Sequence, residues 1–147
     1  MAEQHPGVEW EMVQELALSQ AHLSAVQMVQ WADPEFGSVI ASASFDGNVC
    51  IWEETETKDS KRVWQYRYKE QLKYSIVDMK FAPKQWGLML AVAVSDGSIK
   101  TLAAKDISNL QSWNTIYDFT TNTLVPNAIS WNPAFDEPQM LVVGCTP

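Results

Sequence analysis

An internal repeat constrains the fold of this chain more than any other feature of its sequence. WADPEFG at residues 31–37 aligns with FAPKQWG at 81–87, and VIASASFDGNVCIW at 39–52 aligns with MLAVAVSDGSIKTL at 89–102. A third, partial copy begins at WNP, residues 131–133. A repeat of about 50 residues is far too long for a coiled-coil heptad and lies just above the length of a four-stranded propeller blade.

Each copy has the pattern of antiparallel strands joined by tight turns. Asp46-Gly47 and the aligned Asp96-Gly97 suit a hairpin, because Gly accepts the positive φ that such turns require. Four strands per copy, separated by Gly and Pro, predict an all-β fold built as a β-propeller. Strands are predicted near residues 10–18, 25–32, 38–44, 48–53, 62–70, 75–82, 88–95, 98–103, 113–119, 127–131 and 139–144.

The repeats divide the chain into two full blades and two part-blades. We expect a blade end at 8–20, a blade at 21–70, a second blade at 71–120 and a part-blade at 124–147. Propellers need at least four blades to close a ring, so the sequence predicts an incomplete propeller. We therefore expect a fragment, a truncated isoform or part of a longer chain.

The first copy carries a polar set of the kind that ties a WD repeat together by hydrogen bonds. His22 precedes the first strand, Asp46 lies in the hairpin turn and Trp52 ends the third strand. Ser42 and Ser44 lie between them. A His/Asp/Ser set can also be catalytic, so the sequence alone leaves two interpretations of these residues.

The second copy favours the structural interpretation. It keeps Asp96, but Tyr74 stands where His would be and Leu102 where Trp would be. A structural hydrogen-bond network can vary from blade to blade, which explains why the second copy keeps only part of the set. A catalytic set does not explain such a partial copy. We therefore expect a structural network and no enzyme activity, with the network made by His22, Ser42, Ser44, Asp46, Trp52 and Asp96.

Charge argues against direct nucleic-acid binding. The formal net charge is -8, whereas binding to phosphates requires a basic surface. Residues 61–74, KRVWQYRYKEQLKY, are basic and aromatic and could form a strip for single-stranded nucleic acid. Their period-two alternation instead predicts an outermost strand, with Trp64, Tyr66 and Tyr68 on one face and charges that block edge aggregation on the other.

No cofactor or metal site is predicted. The two His residues lie far from any Cys or carboxylate at metal-ligand spacing, and the acidic run at 53–59 lacks the glycine of a calcium loop. We find no phosphate loop, nucleophile elbow or dinucleotide fingerprint.

The cysteines and the hydropathy pattern indicate a cytosolic or nuclear protein. Cys50 and Cys145 each lie in an apolar run, and we expect both to be reduced core residues. The chain starts without a secretory signal, and no apolar run reaches the roughly 20 residues that a bilayer requires. We expect no direct membrane insertion.

Two segments closely resemble the Sec-thirteen-homologue (Seh-type) family of WD-repeat nucleoporins, a sister of the COPII vesicle-coat propeller. They are WADPEFGSVIASASFDGNVCIWEE at 31–54 and DMKFAPKQWGLMLAVAVSDGSIK at 78–100, and the resemblance extends over about residues 10–144. TLAAKD at 101–106 departs from the family, since an aromatic-ended strand is expected there.

The resemblance implies a structural scaffold subunit of the Y-shaped complex of the nuclear pore, at the nuclear envelope. Its implied partners are other nucleoporins, one of which donates β-strands to complete the open propeller, with docking edges expected at 10–18 and 140–145. Family members also serve in the GATOR growth-signalling assembly at the lysosomal surface. A generic WD-repeat adaptor and a vesicle-coat propeller are the alternatives.

Overall fold

The computed structural model describes Gly7, residues 9–16 and residues 21–147. All pairings between its strands are antiparallel, and the prediction of an all-β fold is confirmed. The strands are β1 (Val26–Trp31), β2 (Val39–Ser44), β3 (Asn48–Glu56), β4 (Arg62–Gln71), β5 (Ile76–Phe81), β6 (Met89–Val94), β7 (Ser98–Ala104), β8 (Trp113–Thr120), β9 (Val125–Trp131) and β10 (Leu141–Thr146).

The strands form three sheets whose order follows the repeat. The first sheet has the order β1-β2-β3-β4, the second β5-β6-β7-β8, and the third contains β9 and β10. A 3-10 turn joins the first two strands of each four-stranded sheet, at Pro34–Phe36 and at Lys84–Trp86. The sheets are those of an incomplete β-propeller of WD repeats.

Hydrophobic residues hold the sheets together face to face. The largest core cluster lies between the first and second sheets and includes Ala41, Ile51, Leu90 and Val92. A second cluster joins the opposite face of the second sheet to the third sheet, where Ala91 and Ile99 lie with Ile129. Strand β6 is therefore buried on both faces, which explains its continuous apolar run.

The strand predicted at residues 10–18 is wrong over its described part. Residues 10–16 adopt no regular strand, and residues 17 and 18 lie outside the described residues. A strand requires a ladder of backbone hydrogen bonds to a neighbour. The segment instead reaches β4 through a side chain, since the Gln14 amide bonds the backbone N and O of Trp64 at 3.1 and 3.5 Å. The other predicted strands match, and the largest shift is at the end of β3, expected at residue 53 and found at Glu56.

A β-bulge in β4 contradicts the prediction that three aromatic side chains share one face. The register shifts so that Ile51 pairs with Tyr68 while Trp52 pairs with Tyr66. Paired residues point to the same side of a sheet, so the bulge reverses the alternation after Tyr66. Tyr66 meets Trp52 edge-on at 5.9 Å, whereas Tyr68 stacks on Trp113 at 6.1 Å in the main core.

The two cysteines differ in burial. Both are free thiols; Cys50 is buried in β3, but Cys145 in β10 is partly exposed. The prediction that both lie in the core is therefore wrong for Cys145, which lies in the two-stranded third sheet. Among residues 7, 9–16 and 21–147, no helix is long and apolar enough to cross a membrane.

Candidate functional site

Four of the six predicted network residues meet in the first sheet. The His22 ring Nε2 lies 2.8 Å from the Ser42 hydroxyl, which also accepts a hydrogen bond from the Trp52 indole N–H at 2.9 Å. The other ring nitrogen, Nδ1, lies 3.7 Å from a carboxylate oxygen of Asp46. All of His22, Ser42 and Trp52 are buried. The network thus links the segment before β1 to β2, to β3 and to the turn between them.

Asp46 extends the network to the backbone. Its carboxylate accepts hydrogen bonds from the N–H of Leu23 at 2.7 Å and of Asn48 at 2.9 Å. Ser44 also bonds to main-chain groups: its hydroxyl donates to Ser24 O at 2.9 Å and accepts from the Asp46 N–H at 3.2 Å. These backbone partners leave no side-chain pattern, so the sequence could not reveal them.

Asp96 lies apart from this network, in the turn between β6 and β7. Its carboxylate accepts a hydrogen bond from the Ser98 N–H at 2.8 Å. Tyr74, at the position aligned with His, is exposed, and Leu102, at the position aligned with Trp, is buried in the main core. The second sheet therefore retains the turn and replaces the polar network by apolar packing.

The electrostatics of the network favour a neutral histidine. Burial lowers the pKa of His22, and the nearby Asp46 carboxylate opposes this effect only in part. Burial also disfavours the charged form of Asp46, but the N–H groups of Leu23 and Asn48 outweigh it and lower the pKa of that carboxyl. The arrangement is a neutral imidazole that lies between the Ser42 hydroxyl and the Asp46 carboxylate.

Acid should weaken the fold through His22. A lowered pKa in the folded state means that the unfolded chain takes up the proton first. The stabilisation is therefore complete above the ordinary pKa of about 6.5 and is lost as the pH falls through the folded pKa. Chemical denaturation at several pH values between 8 and 5 should show the difference between the native chain and His22→Gln shrinking on acidification. A difference that stayed constant over this range would contradict the assignment.

Cys50 adjoins the network and should be chemically inert. Its sulfur lies 4.0 Å from His22 Nδ1 and 3.5 Å from Ala21 O, and burial raises the pKa of the thiol to about 12. Thiolates and not thiols attack alkylating reagents. Brief treatment with iodoacetamide should therefore modify Cys145 before Cys50, as read by peptide mass spectrometry, and denaturant should abolish the difference. Faster labelling of Cys50 in the folded chain would show that the network is open.

No feature of the network forms a site for a ligand of ordinary size. A cavity of about 190 Å³ adjoins it, lined by apolar side chains that include Leu16, Val26 and Val29. Ligand pockets usually measure about 300–1,000 Å³. Among the described residues, no cluster of three or more His, Cys, Asp or Glu side chains could hold a metal ion.

Two exposed surfaces are the stronger candidates for function. Among the described residues, β10 pairs with β9 alone, and Val142 in β10 is 62% exposed. On the outer face of the first sheet, Trp31 is 65% exposed and packs edge-on against Trp64 at 5.5 Å. An unpaired strand edge and an exposed aromatic face are both features of protein-binding surfaces.

Of the two docking edges expected from the sequence, the structure forms a strand at one. Leu141–Thr146 is a strand that pairs on one side only among the described residues, whereas residues 10–16 are irregular. Sequence reasoning missed Gln14, which bonds the outer strand of the first sheet, and Trp31, which was identified only as the first residue of the repeated segment WADPEFG. The aromatic residue that begins this segment in each copy could have marked Trp31, while no pattern marks Gln14.

Comparison with known proteins agrees with the fold. No protein-family model matches the chain. Nucleoporin SEH1 of Danio rerio, nucleoporin SEH1 of Homo sapiens and nucleoporin SEH1-A of Xenopus laevis are each 38% identical to it over 131 residues, which cover 84% of the chain. The chain spans 36% of the length of each of these relatives. The shared sequence and the antiparallel WD-repeat sheets show that the chain belongs to the SEH1-type family of WD-repeat nucleoporins.

Proposed function

We propose that the chain is a scaffold component of the nuclear pore that acts by protein–protein interaction and not by catalysis. Its curated relatives are nucleoporins, and the assembly implied by the family resemblance is the Y-shaped complex at the nuclear envelope. The observation that carries the proposal is the edge of β10 that no other described strand pairs with, because it offers a partner a row of backbone hydrogen-bonding groups.

The mechanism we propose is strand addition by a partner nucleoporin. In the first sheet, β2 lies between β1 and β3, and in the second sheet β6 lies between β5 and β7. β10 occupies the equivalent position beside β9, with its other side open among the described residues. Strands placed there would extend the third sheet to the size of the others, and main-chain hydrogen bonds would supply affinity.

The outer face of the first sheet is the second proposed contact. Trp31 and Tyr66 are exposed on this face. Ile40 pairs with Trp31, and Trp52 pairs with Tyr66, so these two more buried residues lie on the same face. In a propeller each sheet packs face to face with its neighbours, as the first and second sheets do here. A strand-donating partner with an apolar face would bury these aromatics in the same way.

The proposal includes the division into blades and the role of the network. We assign the blades to 21–70 and 71–120, the part-blade to 124–147 and the blade end to 8–20. The first two sheets lie within the two full blades except for one residue, since β4 ends at Gln71, and this supports the division. The hydrogen bonds of His22, Ser42 and Asp46 support a structural role in the first blade.

Affinity capture from nuclear-envelope extract tests the proposal. Tagged chain should recover scaffold nucleoporins, and Val142→Lys should reduce that recovery, because a lysine on an edge strand disfavours pairing. Ile107→Lys is the matched control, since it places the same charge at an exposed apolar position in a loop. Equal recovery by both variants would contradict docking at β10.

The identity of the captured proteins separates the proposed assemblies. The family resemblance extends the proposal to the GATOR complex at the lysosomal surface, and recovery of that complex would add this second role. Recovery of ubiquitin-ligase or vesicle-coat proteins in place of nucleoporins would favour the adaptor or coat alternatives and overturn the proposal.

A further inference from the structure

The two Asp-Gly turns share a positive glycine φ and the same backbone hydrogen bond. Gly47, between β2 and β3, has φ +80°, and Gly97, between β6 and β7, has φ +94°. The N–H of each glycine donates to the residue three positions earlier, Gly47 to Ser44 O at 3.1 Å and Gly97 to Val94 O at 3.0 Å. The molecule therefore contains two copies of one turn that can be compared directly.

The carboxylates of Asp46 and Asp96 differ in burial and in their hydrogen bonds. Asp46, whose side chain is 8% exposed, is bonded by the N–H groups of Leu23 and Asn48 and faces the buried His22 ring. Asp96 is exposed, and among the described residues its carboxylate is bonded only by the Ser98 N–H. Turning the Asp96 side chain toward its own backbone therefore breaks fewer contacts than turning that of Asp46.

The first turn is also more closely packed than the second. A Cβ on Gly47 would lie 2.9 Å from the backbone oxygen of Tyr74, so the first turn is packed against main chain. The nearest atom to a Cβ on Gly97 would be the Thr121 hydroxyl, at 3.1 Å. Asp96 also lines an open cavity of about 370 Å³, which gives water access to the turn.

We propose that Asp96-Gly97 is a site of spontaneous isoaspartate formation and that the fold protects Asp46-Gly47 from the same reaction. The Gly97 nitrogen attacks the Asp96 side-chain carboxyl carbon; a C–N bond forms, and the hydroxyl leaves with the amide proton as water. A cyclic imide results. Water then adds to the imide, and cleavage between the backbone carbonyl carbon and the Gly97 nitrogen leaves the chain running through the side-chain carbon. One water is lost and one is gained, so no other reactant is required.

Glycine is what makes the reaction feasible at these turns. The ring closes only when the nitrogen of the next residue can approach the carboxyl carbon, and a glycine offers no side chain to hinder that approach. The turn must first open locally and release the Gly97 N–H from Val94 O. The product inserts one backbone carbon into the β6–β7 hairpin and moves the acceptor away from Ser98.

Ageing the folded protein tests the inference. The purified protein, with any co-purifying partner, is held at 37 °C and neutral pH, and isoaspartate is located by isoaspartyl methyltransferase labelling and peptide mass spectrometry. We expect label to accumulate at Asp96 at least about tenfold faster than at Asp46, a ratio that corresponds to about 1.4 kcal/mol. Asp96→Glu should remove the label at this site, because a glutamate cannot close the same five-membered ring.

A denatured sample provides the control. In denaturant the two Asp-Gly pairs should react at similar rates, because the contacts that distinguish them are lost. Equal rates in the folded chain, or faster reaction at Asp46, would overturn the inference. A preference for Asp96 that persisted in denaturant would also overturn it, since the difference would then come from the local sequence and not from the fold.

Discussion

Replacing Trp52 with alanine is expected to lower the free energy of unfolding by about 3–5 kcal/mol, the range for removing a large buried aromatic side chain. Trp52 is 4% exposed and packs with Ala21 and Cys50. Its loss would also remove the indole N–H that donates to Ser42. Asp46→Ala should cost less, about 1–3 kcal/mol, because it leaves the N–H groups of Leu23 and Asn48 without the carboxylate that accepts from them.

Chemical denaturation of the native and variant chains in the same assembly state measures this effect. Trp10→Ala is the matched control, because Trp10 is 95% exposed and its removal should change stability by no more than about 0.5 kcal/mol. If Trp52→Ala were no more destabilising than Trp10→Ala, the network would not hold the first sheet. Loss of a catalytic rate without loss of stability would contradict the structural role.

Gly47→Ala is expected to destabilise the chain by about 2–5 kcal/mol, the sum of a left-handed backbone strain of about 1–2 kcal/mol and an overpacking cost of about 1–3 kcal/mol. The φ of Gly47 is +80°, and an added Cβ would meet Tyr74 O at 2.9 Å and Lys73 C at 3.0 Å. Both are backbone atoms, and the hydrogen bond from Leu72 N to Gly47 O holds them near the turn.

Gly97→Ala separates the two contributions. Gly97 has a similar φ of +94° at the same position of the aligned turn, but the nearest atom to an added Cβ is the side-chain hydroxyl of Thr121, at 3.1 Å, and not a main-chain atom. A side chain can rotate away, so this variant should show mainly the backbone strain. Denaturation curves should show a larger loss of stability for Gly47→Ala than for Gly97→Ala. Equal losses would mean that the β4–β5 connection moves away freely and that the first turn is not closely packed.

The repeat made most of the fold predictable. Strands and turns follow from local patterns that recur, so the prediction held for each strand from β1 to β10. Two of the wrong predictions, the strand at 10–18 and the shared face of the three aromatics, have a common cause. Both depend on which strands pair and in what register, and local sequence patterns do not determine this. The bulge that places Tyr68 on the opposite face from Tyr66 follows from the register with β3, and residues 10–16 have no ladder partner within the part of the chain that the structure describes.

The part of the candidate site that consists of side chains at fixed positions in the repeat was predictable. His22, Ser42, Asp46 and Trp52 were identified because they stand at defined places relative to the Asp-Gly turn, and the structure brings them together. The partners of Asp46 at Leu23 and of Ser44 at Ser24 are main-chain groups, which carry no residue preference. The open edge of β10 is likewise a property of sheet order and not of any motif.

We propose that the exposed edge and face of this propeller segment are completed by strands from a partner or from a longer form of the chain. Light scattering and thermal unfolding of residues 1–147, expressed alone, test this completion. The isolated chain should self-associate or unfold in a broad, non-cooperative transition, and the transition should become sharp once a strand-donating nucleoporin is co-expressed. A monodisperse monomer with a cooperative transition on its own would contradict completion by added strands.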